Sequence, residues 1–238
     1  MIRFCFSHIP KCGGTHVRLL LKQAYGESCF PNIIEVIKSQ HKLAHLIRNK
    51  YIAQGEWPDL SGDNSWIGAT GHYGPHELLD LFNLDVPVFT WIRDPMTRRL
   101  SSVFHKARYE QVGSRPIVDD LWSNKEEQVF IRKRFLEEDD GLYSKLWGGQ
   151  EHRAAFVGRM EHFEEDWIRC VKFFDFHKAT LEGIGAIHNE NPMKNAARYG
   201  ELLDLLYLSR EIACRENPVF EKEYEVYEKL LAKALDPR

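Results

Sequence analysis

The sequence offers no cysteine framework. Its five cysteines (Cys5, Cys12, Cys29, Cys170 and Cys214) are odd in number and scattered, with no C-x-x-C pair. That excludes a disulfide-stapled fold and leaves no zinc-site spacing; Cys5, inside an apolar run, reads as a small core residue. Long hydrophobic runs are also absent: nothing approaches the roughly 20 apolar residues needed to span a bilayer. Met1 leads almost directly into a strand pattern with no signal-peptide character, so the expectation is a cytoplasmic protein without a membrane segment. Neither charge dominates. The formal net charge is -3, which argues against a broad cationic nucleic-acid surface. Internal repeats and low-complexity tracts are missing too, and 28% charged with 43% hydrophobic residues fits neither disorder nor a fibre.

What is present is enough chain for one buried core. The 238 residues predict a single domain over 1–238 of α/β class, a P-loop-like parallel sheet flanked by helices. Predicted strands are Ile2–Ile9, Trp66–Tyr73, Val86–Ile92 and Ala154–Met160. Val86–Ile92 is almost continuously apolar, as expected for a strand covered on both faces, with Pro87 confined to its start. Predicted helices cover Thr15–Ala24 (stopped at Gly26), Ile33–Tyr51, Met96–Tyr109, Glu164–Phe174, Glu201–Arg215 and Val219–Ala234. Gly55-Glu56-Trp57-Pro58 marks a break. Residues 113–153 read as a charged helical insertion packed over the core. Within it, Arg132-Lys133-Arg134 followed by Glu137-Glu138-Asp139-Asp140 reads as a solvated helix surface.

Three unusual clusters each fall at the end of a predicted strand, where open parallel sheets bind ligands. The first is His8-Ile9-Pro10-Lys11-Cys12-Gly13-Gly14-Thr15-His16. Paired glycines allow close backbone approach, the free amides of a helix start favour an anion, and Lys11 and Thr15 add a charge and a hydroxyl. A phosphate or phosphosulfate suits this chemistry. A Walker A loop has its lysine after the last glycine; here Lys11 precedes both, so an ordinary nucleoside-triphosphate loop does not fit.

The second cluster is Arg93-Asp94-Pro95-Met96-Thr97-Arg98-Arg99-Leu100-Ser101. Asp94 is a natural cap and Pro95 a natural first-turn residue. Arg98, Ser101 and Ser102 then fall on neighbouring helical positions, and Arg93 with Ser101 can grip a phosphate. The third is Gly71-His72-Tyr73-Gly74-Pro75-His76. A hydroxyl nucleophile needs a base titrating near neutrality, and flanking glycines expose the His72 ring at a strand tip. His76 is the second choice.

H-I-P-K-C-G-G-T closely resembles the 5′-phosphosulfate loop of sulfotransferases that use 3′-phosphoadenosine-5′-phosphosulfate (PAPS), most of all the branch with heparan sulfate 2-O and 6-O enzymes. R-D-P-x-x-R-x-x-S resembles the 3′-phosphate motif of the same family, and G-H-Y-G its glycine-flanked histidine segment. The resemblance spans most of the chain from His8 and is strong at the first two motifs. It implies that Lys11, Cys12, Gly13, Gly14, Thr15 and His16 hold the 5′ group, and that Arg93 and Ser101 hold the 3′-phosphate, with Arg98 in support. It implies His72 as the catalytic base and Lys11 stabilising the leaving phosphate.

In that reading PAPS is the co-substrate, adenosine 3′,5′-bisphosphate (PAP) the product, and no metal is required. The acceptor carries a hydroxyl: a saccharide by resemblance, with small alcohols, phenols and protein tyrosine open. Arg159 or Glu161, in F-V-G-R-M-E-H-F-E-E, is expected to orient a site residue or form a structural ion pair. Lys194, in H-N-E-N-P-M-K-N, is a candidate cofactor contact. Trp122, Tyr143 and Trp147 read as sugar-stacking or core aromatics. The rivals are an ATP-dependent phosphotransferase and a non-catalytic nucleotide-binding module.

Overall fold

The structure is a computed structural model that describes residues 3–26, 68–81, 85–110, 124–137, 141–176 and 196–236. The expected helix Ile33–Tyr51, the Gly55–Pro58 break, Cys29, Trp122, Glu138–Asp140 and Lys194 lie outside the described residues.

The α/β fold is the one expected. Strands β1 (Phe4–Ser7), β2 (Gly68–Gly71), β3 (Val88–Ile92) and β4 (Ala154–Arg159) form an all-parallel sheet in the order β2-β1-β3-β4. Every residue of β1 and β3 is buried, because helices cover both faces of a parallel sheet and leave no side for polar alternation. Pro87 sits just before β3 and its carbonyl accepts from Cys5 N–H at 3.0 Å, so the residue that cannot donate still takes part. The chain moves to one side of β1 for β2 and to the other for β3. That reversal opens a crevice beyond the carboxyl ends of the central strands.

Helix α1 (Gly14–Tyr25) follows β1, α2 (Pro95–Glu110) follows β3 and α5 (Phe163–Phe174) follows β4. Between α2 and β4 lie α3 (Lys125–Glu137) and α4 (Leu142–Trp147); α6 (Ala196–Leu205), α7 (Arg210–Glu216) and α8 (Val219–Leu235) close the chain. A π-helical segment spans His76–Leu81. Among the described residues no helix is long and apolar enough to cross a membrane.

The main core joins Phe4, Phe6, Phe89 and Trp91 of the sheet to Trp167 of α5 and Leu230 of α8. Its rings meet in tilted and offset pairs, such as Phe6 on Phe89 at 5.0 Å between centroids. A second cluster joins Leu100 and Phe104 of α2 to Ile131 and Phe135 of α3, with Leu202 and Phe220.

Two expectations change. In the expected insertion 113–153 the described α4 is not merely a layer over the core: Tyr143 and Trp147 are fully buried within it, and Trp147 Nε1–H donates to Ser7 Oγ at 3.0 Å. Both aromatics are therefore core residues, not sugar platforms. The predicted helix Glu201–Arg215 is two helices. Tyr207 takes a left-handed φ of 51°, Leu208 N–H reaches back to Leu203 O at 2.8 Å, and Ser209 Oγ caps α7 by accepting from Ile212 N–H at 3.2 Å. Such a stop normally carries glycine; with tyrosine there the apolar period runs on unbroken, and only Ser209 marks the restart.

Of the basic run of α3, Lys133 is solvated as expected, while Arg132 and Arg134 are half-buried. Lys133 is exposed and meets Glu137 at 3.9 Å.

Candidate functional site

All four strands deliver their carboxyl ends to one cavity of about 680 Å³, within the ordinary range for a cofactor-sized ligand. His8, Pro10, Lys11, Gly13, Gly14, Thr15 and His16 reach it after β1, His72 after β2, Arg93 and Asp94 after β3, and Met160 to His162 after β4. Of the residues singled out from the sequence, Lys11, Gly13, Gly14, Thr15, His16, His72, Arg93 and Ser101 all line this cavity, as do Arg159 and Glu161.

Two candidates do not. Cys12 is fully buried with Sγ 3.4 Å from Tyr143 Oη, and its N–H is bonded to Ile9 O at 3.2 Å. Neither its thiol nor its amide is available to a ligand, because the loop turns this one side chain into the core. His76 is exposed on the π-helical segment and absent from the cavity lining.

The first loop turns sharply: Lys11 (φ 68°) and Gly13 (φ 76°) are both left-handed, on either side of the buried Cys12. Intrahelical bonding begins with His16 and Val17 N–H on Gly13 O, at 2.9 and 3.2 Å. The amides of Gly13, Gly14 and Thr15 precede it and lie where a helix N-terminus attracts negative charge. Gly13 is required by its φ. Gly14 is required by space, since a β-carbon there would overlap the His8 imidazole.

His72 is held by its neighbour's backbone. Its Nδ1 is 2.8 Å from His8 O; a carbonyl only accepts, so Nδ1 carries a proton, and in the neutral ring Nε2 holds the lone pair. His8 N–H in turn donates to Gly71 O at 2.8 Å, and Ser7 Oγ donates to Tyr73 O at 2.7 Å. The ring is therefore half-buried rather than standing free at a strand tip.

His8 was legible only as part of the loop, yet it is the hub of this corner. Its ring stacks on Phe6 (5.6 Å) and lies tilted against the His72 ring (4.5 Å). Burial first, then the charges of His72, Arg18 and Lys11, push its pKa down to about 3. His8 is neutral and packs like an aromatic.

Beyond β3, Arg93 holds its guanidinium 4.4 Å above the Tyr199 ring. Its own N–H and C=O are both bonded to Tyr143 Oη, at 2.8 and 2.6 Å. Asp94 caps α2 as expected, Oδ1 accepting from Thr97 N–H at 3.0 Å and Oδ2 from Tyr224 Oη–H at 3.0 Å. Arg98 points away from the cavity into a buried ion pair with Glu223 at 3.3 Å, a supporting role.

Arg159 is fastened to Asp166 through Nε (2.8 Å) and Nη2 (2.9 Å), and Glu161 accepts from Asp94 N–H at 3.2 Å. Lys11, Arg93, Lys106 and Arg159 thus face Asp94 and Glu161 around the cavity, a locally basic site in a chain of net charge -3. Histidine is concentrated here as well: His8, His16, His72, His105 and His162 all line it.

Comparison with protein-family models finds no match, and a search of curated proteins finds no significant relative.

Proposed function

We propose that this chain is a sulfotransferase that moves a sulfuryl group from PAPS to a hydroxyl-bearing acceptor, a saccharide by its motif resemblance. One observation carries the reading. Three motifs separated by tens of residues, around Lys11, His72 and Arg93, line a single cavity at the carboxyl edge of the sheet. The donor set fits a nucleotide phosphorylated at both ends: left-handed loop, helix amides and Lys11 at one end, Arg93 and Ser101 at the other.

In this reading the acceptor oxygen attacks sulfur in line, a new S–O bond forms, and the S–O bond to the 5′-phosphate breaks. His72 Nε2 takes the acceptor proton, and Lys11 with the loop amides stabilises the charge left on the departing phosphate of PAP. ATP lacks the 3′-phosphate and would leave Arg93 and Ser101 without their partner, so PAP should bind far better than ATP.

The test has two arms. Calorimetry with PAP should give saturable binding, and incubation with isotopically labelled PAPS and a panel of saccharide, phenol and tyrosine acceptors should label one class. No heat with PAP removes the proposal. Binding without transfer to any acceptor favours a nucleotide-binding module.

A further inference from the structure

One buried phenol, behind the cavity, links the Lys11 loop to Arg93. We infer that the Tyr143 hydroxyl is a positioning group that sets the spacing between the Lys11 loop and Arg93, and so the site's selectivity for a nucleotide bearing phosphates at both 3′ and 5′ positions. The inference rests on the functional reading above.

A tyrosine oxygen has one proton and two lone pairs, and here each has a partner. The proton goes to Arg93 C=O at 2.6 Å, and one lone pair accepts from Arg93 N–H at 2.8 Å. With that proton committed, the 3.4 Å contact to Cys12 Sγ has one polarity: the thiol donates. Burial pushes the Cys12 pKa up to about 11, in keeping with a thiol that keeps its hydrogen. Cys12 lies between the left-handed Lys11 and Gly13, at the middle of the loop, and Arg93 is the first residue beyond β3. A single oxygen on a third element therefore touches, from behind, both segments that carry the cavity-lining groups.

That oxygen is itself fixed. Tyr143 is fully buried, and the Glu223 carboxylate takes Tyr143 N–H at 3.1 Å and Ser144 N–H at 2.9 Å at the start of α4. Arg98 sits beside that carboxylate at 3.3 Å and over the Tyr143 ring. Nothing in this arrangement needs to reach the ligand: it holds the groups that do. The ribose limits how far apart a nucleotide's 3′- and 5′-phosphates can lie, so wall spacing governs the bonus from the second one.

The decisive measurement is a ratio. Calorimetry compares adenosine 3′,5′-bisphosphate with adenosine 5′-monophosphate for wild type and Tyr143→Phe, well below both melting temperatures. Phenylalanine keeps the ring and its packing, so a purely structural role would leave the ratio of affinities unchanged. Positioning predicts that the ratio falls roughly tenfold, the worth of one lost hydrogen-bond partner, with the monophosphate affinity nearly preserved.

Should Tyr143→Phe not fold, Cys12→Ala removes only the loop's link and should lower the same ratio by a smaller factor. A ratio unchanged within about twofold in whichever variant folds overturns the inference while leaving the sulfotransferase reading intact. A wild type that binds neither nucleotide overturns both.

Discussion

At the scale of single residues, the site depends on side chains whose neighbours determine their chemistry. Under the proposed function His72 is the base: its Nδ1–H is committed to the His8 carbonyl, so in the neutral ring the lone pair is on Nε2, on a side chain lining the cavity. His72→Ala should lower turnover by roughly 100- to 10,000-fold while PAP affinity, read by calorimetry, stays near wild type. Near-normal turnover would take His72 out of the mechanism. The same residue shows what a sequence conveys. A histidine between Gly71 and Tyr73 at a strand end was legible as a candidate base, because glycine and strand periodicity are local properties. Its tautomer was not, since it is set by a carbonyl 64 positions earlier. Cys12 went the other way: embedded among loop residues that face the cavity, it turns inward onto a tyrosine 131 positions away.

At the scale of elements, α4 is short and begins with Gly141 at a left-handed φ of 36°, so it has little helical stability of its own. What holds it is Glu223 from α8, whose carboxylate accepts two first-turn amides and pairs with Arg98. Both charged residues are almost wholly buried, and removing one partner of such a pair leaves the other uncompensated. Glu223→Ala should therefore destabilise the fold by about 3–5 kcal/mol, measured by urea unfolding. Glu223→Gln, which can still accept from one amide, should cost less. A loss below about 1 kcal/mol for the alanine variant would mean that α4 is held by packing alone. Nothing near Glu223 in the sequence identifies it: it sits in an amphipathic helix rich in glutamate, and its distinction is a set of partners from α2 and α4.

For the whole molecule, His8 contributes to the acid limb of stability. Its folded pKa, about 3 against an ordinary 6.5, lies below the unfolded value, so between those limits the unfolded chain binds the extra proton. Stability is fully present above pH 6.5 and is lost as pH falls toward 3. Thermal unfolding followed across this range should show the decline, and His8→Gln should flatten it relative to wild type. An unchanged slope in the variant would assign the acid sensitivity to other groups.

The sequence by itself determined the alternation of strands and helices, the parallel sheet that alternation implies, and the presence of three chemically loaded strand ends. Each depends on periodicity, turn residues and helix caps acting over a few positions. Tertiary structure alone decided which ends share a cavity, that Cys12 leaves it, that His8 is a neutral packing ring, and that Tyr143 and Glu223 brace the walls. Those outcomes depend on side-chain direction and on hydrogen-bond valences closed between residues 50 to 131 positions apart. No local pattern encodes such closure, because each group's partner exists only once the core has packed.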